Sequence, residues 1–242
     1  MKNKLVLDLA TLKKDNKDLI NHKKSSNKEI YYYKIDDNNK KDYQRNIGDY
    51  YVLKTLNKNN LIKTINKDFF RITKTILNKY KVKKVLIVGL GNSSIPCDSL
   101  GVNTTNKIIA TNHYNDFLTL PKIALFNPEI TDKTGISSFS LIKMVVDYLK
   151  PDCLIIIDSL LTNDLDNLDS CIEINDGGII PGIYLKDNRQ IDKNTFNIPI
   201  ISIGVTLAYE YKKTPLTSPN VNQVVEDYSQ LIANCINKIF ID

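Results

Sequence analysis

The sequence predicts an α/β fold, a three-layer sandwich with a mainly parallel central sheet and a small N-terminal β extension. Short continuous apolar runs, such as Val85-Leu86-Ile87-Val88 and Leu154-Ile155-Ile156-Ile157, have the pattern of strands buried on both faces. They alternate with stretches whose apolar residues recur at helical spacing, which is how helices come to cover both faces of a sheet. Gly89-Leu90-Gly91-Asn92 directly follows the first buried run, as expected of a turn at the carboxyl end of a central parallel strand.

From the amino terminus, residues 1–30 are polar and lysine-rich after Leu5-Val6-Leu7, so a loosely held segment with one anchoring stretch is expected. Tyr31 to Ile35 and Tyr50 to Leu56 are aromatic and β-branched runs that read as two strands of the β extension. Phe69, Ile72, Ile76 and Leu77 mark an amphipathic helix over Asp68 to Tyr80. After the strand at Lys84 to Val88, further strands are expected at Lys107 to Ala110, Ile123 to Phe126, Leu154 to Ile157, Cys171 to Ile174 and Ile200 to Ile203. A helix spans Ser137 to Leu149 and stops at Lys150-Pro151. A long helix over Asn220 to Phe240 presents Val221, Val224, Val225, Tyr228, Leu231, Ile232 and Cys235 on one face. A length of 242 residues suits one domain, with 1–60 as the N-terminal segment and 61–242 as the α/β core.

Composition excludes several classes. At 42% hydrophobic and 25% charged the chain is too apolar for a disordered protein. The net charge of +6 is spread over scattered lysines beside Asn, Asp and Ile, which gives no basic stripe for nucleic acid. Asp8 interrupts the first apolar run, so no secretion signal is read, and no stretch approaches the ~20 apolar residues of a membrane span. A soluble, cytoplasmic protein is expected. Cys97, Cys153, Cys171 and Cys235 form no metal-binding or disulfide pattern and read as reduced thiols.

Function in an open parallel sheet collects beyond the carboxyl ends of the strands. Two aspartates fall there: Asp98, in the loop after the first core strand, and Asp158, at the end of the strongest one. Carboxyls in such places are partly desolvated, and two close together would have pKa values pushed apart, one holding a proton. That arrangement activates a water against an amide carbonyl. Each aspartate could equally cap a following helix, and the spacing alone does not choose. Asn92 could orient Asp98 or a substrate carbonyl through its side-chain amide, or stabilise its own turn.

Other chemistry fits less well. Gly89-Leu90-Gly91 lacks the third glycine of a nucleotide-binding loop, residue 94 being Ser, and Pro96 and Asp98 oppose a pyrophosphate. Cys97 with His113 as base is a thiol alternative, against which the Asp98 charge would raise the thiol pKa. Two carboxylates without a third ligand make a poor transition-metal site, though Asp176 or His113 could contribute. His22 reads as solvated.

The motifs carry a resemblance. Val88-Gly89-Leu90-Gly91-Asn92, with Pro96, Asp98, Ser99, Leu100 and Gly101, resembles the GLGN…PDALG signature of the germination proteases of spore-forming bacteria. Lys150-Pro151-Asp152 and Ile156-Ile157-Asp158-Ser159-Leu160 are similar to that family's KPD…AIDAL segment. The likeness runs on through Thr134-Gly135-Ile136, Ile174 to Gly182 and Ile198 to Val205, with weaker counterparts at Asp8-Leu9-Ala10, Gly48 to Val52 and Thr214-Pro215.

The resemblance implies an aspartic-type endopeptidase similar in fold to hydrogenase maturation proteases, which cuts small acid-soluble spore proteins during germination. It implies Asp98 and Asp158 as the catalytic pair and a homotetramer in the spore core or germinating cell; from the residues themselves, Asn92 and Asp176 are expected to be substrate-binding or supporting residues, and no cofactor is expected. A metal-dependent or catalytically inactive binding member of the same fold is the alternative. Two departures stand out: Ile180 occupies the place of a histidine, and Asn175-Asp176-Gly177-Gly178 replaces Ser-Asp-Thr-Gly. Family members carry a propeptide ahead of the Asp-Leu-Ala segment, whereas seven residues precede Asp8 here, so activation by prosequence removal is not expected.

Overall fold

A computed structural model of the chain describes residues 19–43, 45–57, 61–114, 120–179, 189–212 and 214–241. The expected features at Leu5–Leu7, Asp8–Ala10 and 180–182 lie outside these residues. The described strands join one nine-stranded sheet. They are β1 (Leu19–Lys24), β2 (Lys28–Ile35), β3 (Gly48–Thr55), β4 (Lys84–Gly89), β5 (Lys122–Phe126), β6 (Cys153–Thr162), β7 (Cys171–Asn175), β8 (Ile200–Tyr211) and β9 (Thr214–Leu216). The helices are α1 (Lys40–Tyr43), α2 (Leu61–Leu77), α3 (Leu100–Thr105), α4 (Thr131–Thr134), α5 (Ser138–Leu149), α6 (Lys193–Phe196) and α7 (Val221–Phe240).

Strand order is β1-β2-β3-β7-β8-β6-β4-β5, with β9 folded back on β8. The pairs β8–β6, β6–β4 and β4–β5 are parallel and form the expected α/β core. The N-terminal β extension is continuous with that core. β1, β2 and β3 run antiparallel to one another, and β3 joins the sheet through the antiparallel strand β7.

Alternation along the strands divides the core into two layers. Ile155 and Ile157 of β6, with Ile201, Ile203 and Val205 of β8, pack with α2, α3 and α7 through Phe69, Leu100, Tyr228 and Ile232. Leu154 and Ile156, with Leu86 and Val88 of β4, face the other way onto Ile142 and Val146 of α5 and Phe196 of α6. Both faces of the parallel strands are therefore covered by helices, which is why their sequences read as unbroken apolar runs. A third cluster, with Tyr33, Tyr50, Val52 and Leu160, fills the antiparallel half.

Three expectations need correction. Lys107 to Ala110 forms no strand: after α3 the chain turns, Ile108 N donating to Thr105 O, and Ile109 N donates to Asn237 Oδ1 of α7 at 3.0 Å. The apolar pair there serves helix packing, with Ile108 buried. Residues 19–24, expected to be loosely held, pair with β2 as an exposed edge strand, and His22 stacks on Tyr31 at 4.3 Å between ring centroids. Finally, β6 and β8 run well past their apolar runs and pair with each other to Thr162 and Tyr209. Among the described residues no helix is long and apolar enough to cross a membrane.

Candidate active site

The site begins where β4 ends. Gly89 is the last residue of β4 to pair with β6, opposite Ile157, and Leu90 N donates to Ile157 O at 2.8 Å. From Asp158 outward β6 continues beside β8 alone, Asp158 lying opposite Gly204. Asp158 is thus the first residue of β6 beyond the end of its neighbour, inside a strand rather than ahead of a helix, so it caps none.

The loop turns back under tight steric control. Gly91 has φ 109°, and a Cβ there would lie 1.9 Å from Asp98 O. Only glycine combines that conformation with that approach. Gly101, opening the second turn of this connection, packs so closely that a Cβ would sit 2.4 Å from Leu90 O and 2.6 Å from Ile157 O. These contacts pin the start of α3 across the ends of β4 and β6. Between them Pro96–Asp98 forms a single 3-10 turn that packs on β6, β8 and α7. Asp98 and Asp158 are in this way brought to the carboxyl ends of neighbouring parallel strands.

Asp98 does not cap α3. Its Oδ2 accepts from Asn92 N at 2.9 Å, and Asn92 N also donates to Asp98 O at 2.9 Å, closing the loop. The Asn92 side chain turns to its own loop, Oδ1 accepting from Ser94 N at 2.9 Å. Asn92 therefore holds Asp98 through its main chain. Burial pushes the Asp98 carboxyl above the ordinary carboxylate range, the Asn92 N–H opposes this, and Glu129 raises it further while Lys133 lowers it. The largest cause is desolvation, the effect expected of a carboxyl directly after a buried strand. At Asp158, Ser159 N donates to Oδ1 at 2.8 Å, and Ser159 Oγ is buried without a hydrogen-bond partner among the described residues.

Glu129 and Lys133 escaped the sequence reading. They sit beyond the carboxyl end of β5, the strand beside β4, so the rule that singled out Asp98 could have found them too. Glu173 of β7 also escaped. It is 2% exposed, with Arg45 Nη1 at 3.6 Å from its Oε1 and Asn175 Nδ2 donating to that oxygen at 3.0 Å. Register places Glu173, Gly204 and Asp158 in one row across β7, β8 and β6, and residues in a row share a face. A lone acid inside the apolar run Cys171-Ile172-Glu173-Ile174 was the available signal.

Asp176 lies elsewhere. It follows Asn175, which pairs with Ser202 near the amino end of β8, and it accepts from Asp49 N at 2.6 Å and pairs with Lys79 Nζ at 2.6 Å. Lys79 also pairs with Asp49, so the cluster ties the turn after α2 to the ends of β3 and β7. His113 lies against the Tyr114 ring in a tilted arrangement, next to residues whose N–H groups bond Ile123 at the start of β5, the opposite end of the sheet from Cys97. Burial first, and the Asp98 charge second, push the Cys97 thiol up. Among the described residues no group of three or more His, Cys, Asp or Glu could hold a metal ion.

Comparison with known proteins agrees with the motifs. A sequence model of the family described as germination protease matches residues 8–234. The germination protease of Caldanaerobacter subterraneus subsp. tengcongensis is 30% identical over 182 residues, covering 71% of this chain and 56% of that protein. That of Bacillus licheniformis is 32% identical over 154 residues, covering 60% and 41%, and that of Bacillus subtilis strain 168 is 30% identical over 163 residues, covering 64% and 43%. The chain spans about half the length of the curated relatives it matches. Among solved structures, a [NiFe] hydrogenase maturation protease HycI from Thermococcus kodakarensis KOD1 aligns with a TM-score of 0.45 at 16% identity, over 69% of this chain and 99% of that one. With residues 8–234 matched, this chain belongs to the germination protease family.

Proposed function

We propose that the chain is an endopeptidase that degrades small acid-soluble spore proteins during germination, acting in the cytoplasm as a homo-oligomer, a tetramer by resemblance to its family. The observation that carries this reading is the position of Asp98 in the loop after β4 and of Asp158 where β6 runs past the end of β4, each within a segment matching a family motif. In this mechanism a water lies between the two carboxyl groups. Asp158 takes its proton as it attacks the peptide carbonyl. Asp98, whose titration burial displaces upward, holds the proton that first polarises the carbonyl oxygen and then passes to the leaving nitrogen. The two would titrate as a unit once substrate excludes solvent. No metal or cofactor takes part in these steps. The proposed roles for Asn92 and Asp176 are supporting: one fixes Asp98, the other fastens the turn after α2 to the sheet.

The direct test is incubation of the full chain with a purified small acid-soluble spore protein. Discrete fragments accumulating with time are expected. Intact substrate held in a stable complex would replace the enzyme reading with that of a binding protein of the same fold.

A further inference from the structure

The loop bearing Asp98 is fastened from outside by two oppositely charged residues. Ser93 Oγ donates to Glu129 Oε1 at 3.1 Å, and Lys133 Nζ donates to Ser94 Oγ at 3.2 Å. Lys133 Nζ and Glu129 Oε2 pair at 3.1 Å, so the two contacts form one strap between the 91–98 loop and the segment after β5. Glu129 has φ 58°, a left-handed backbone that a residue with a side chain adopts at a cost. That backbone turns the chain between β5 and α4, with Ser138 Oγ donating to Glu129 O at 2.8 Å. A strained residue cross-linked to the loop of a candidate catalytic acid has a use beyond solubility.

We propose that Glu129 and Lys133 are positioning residues for Asp98, clamping its loop through Ser93 and Ser94 and acting on its carboxyl with opposing charges. The proposal rests on the reading of Asp98 as a site acid. The surroundings of the 96–98 turn leave these two as the acting charges. Cys97 is its neighbour in the turn, and Asp158 lies within β6, one residue past the last pairing with β4. On the face shared with the turn, β8 carries Ile203, Val205 and Leu207, and α7 turns Val221, Val225 and Tyr228 inward. The α7 acids are engaged elsewhere, Glu226 with Lys107 Nζ and Asp227 with Gln223 Nε2. Glu129 raises the Asp98 carboxyl and Lys133 lowers it, in keeping with the geometry.

A simple strap would respond alike to loss of either end, whereas opposed charges respond with opposite sign. The experiment follows the Asp98 carboxyl carbon by NMR titration of isotope-labelled full-length protein, which reads the residue whether or not any peptide is cut. Glu129→Gln is expected to move the midpoint down and Lys133→Met to move it up, each by about 0.3–0.5 pH unit, the size suited to partly exposed charges. Lys133→Arg is expected to restore the wild-type value. In a cleavage assay the limb of the pH profile assigned to Asp98 should move the same way in each variant. No shift, or shifts of the same sign in both, would overturn the proposal. Opposed shifts in a protein that cuts no peptide would leave the positioning role standing and remove the peptidase reading instead.

Discussion

The main-chain N–H of Asn92 donates to Oδ2 of Asp98 at 2.9 Å, so the loop's own backbone holds the carboxylate that burial makes costly to ionise. Because the folded pKa is raised above the unfolded one, the native state binds more protons in the window between them, and stability falls as pH rises through it. Asp98→Asn keeps an acceptor for the Asn92 N–H and removes the buried charge. Its melting temperature relative to wild type is therefore expected to increase from about pH 4 to about pH 7. A difference independent of pH, measured by calorimetry, would contradict the assigned burial.

Gly91 governs the same loop through sterics. Gly91→Ala sets a Cβ 1.9 Å from Asp98 O in a backbone of φ 109°. The loop must open, with a stability loss of about 1–3 kcal/mol and a fall in kcat at nearly unchanged KM. Denaturant unfolding and steady-state kinetics check the two parts separately.

The Lys79 cluster is expected to act on stability alone. Burial opposes ionisation of Asp49, yet hydrogen bonds from Lys79 and Tyr32 outweigh it and hold the pKa below the ordinary value. That contribution is present above the unfolded carboxylate range and is lost as pH falls through the depressed folded value. Lys79→Met should cost about 1 kcal/mol near neutrality, the pair being partly exposed, and progressively less below about pH 4. Asp176→Asn should likewise lower the melting temperature while leaving kcat within a few-fold. A collapse of kcat with stability intact would place Asp176 in the reaction.

Cys97 tests the thiol alternative. Its thiol is pushed up by burial and by Asp98, the reverse of what a nucleophile requires. Cys97→Ser should retain cleavage within a few-fold and resist thiol-directed inhibitors as the wild type does.

Periodicity made the parallel core legible, because strands covered on both faces have no polar positions to confuse the pattern, as in β4 and the first half of β6. It failed where tertiary contacts override local preference. Ile108 and Ile109 have the composition of a strand, but α7 supplies their partners. Neither β1 nor the outer halves of β6 and β8 carry an unbroken apolar run, and their pairing comes from register with a neighbour. Strand-end logic singled out Asp98 and Asp158 as candidates, and the chain places them after β4 and within β6 where β4 stops. The use of Asn92's main chain rather than its amide, and the strap from Glu129 and Lys133, depend on how two loops meet, which no single segment encodes.

The two-aspartate mechanism is tested by the initial rate of cleavage of a small acid-soluble spore protein by wild type, Asp98→Asn and Asp158→Asn, with circular dichroism recording the fold of each. A discrete cut by the wild type is expected, with a loss of at least about 10²-fold in each folded variant, the scale of a missing general acid or base. Wild-type rates in either variant would contradict it.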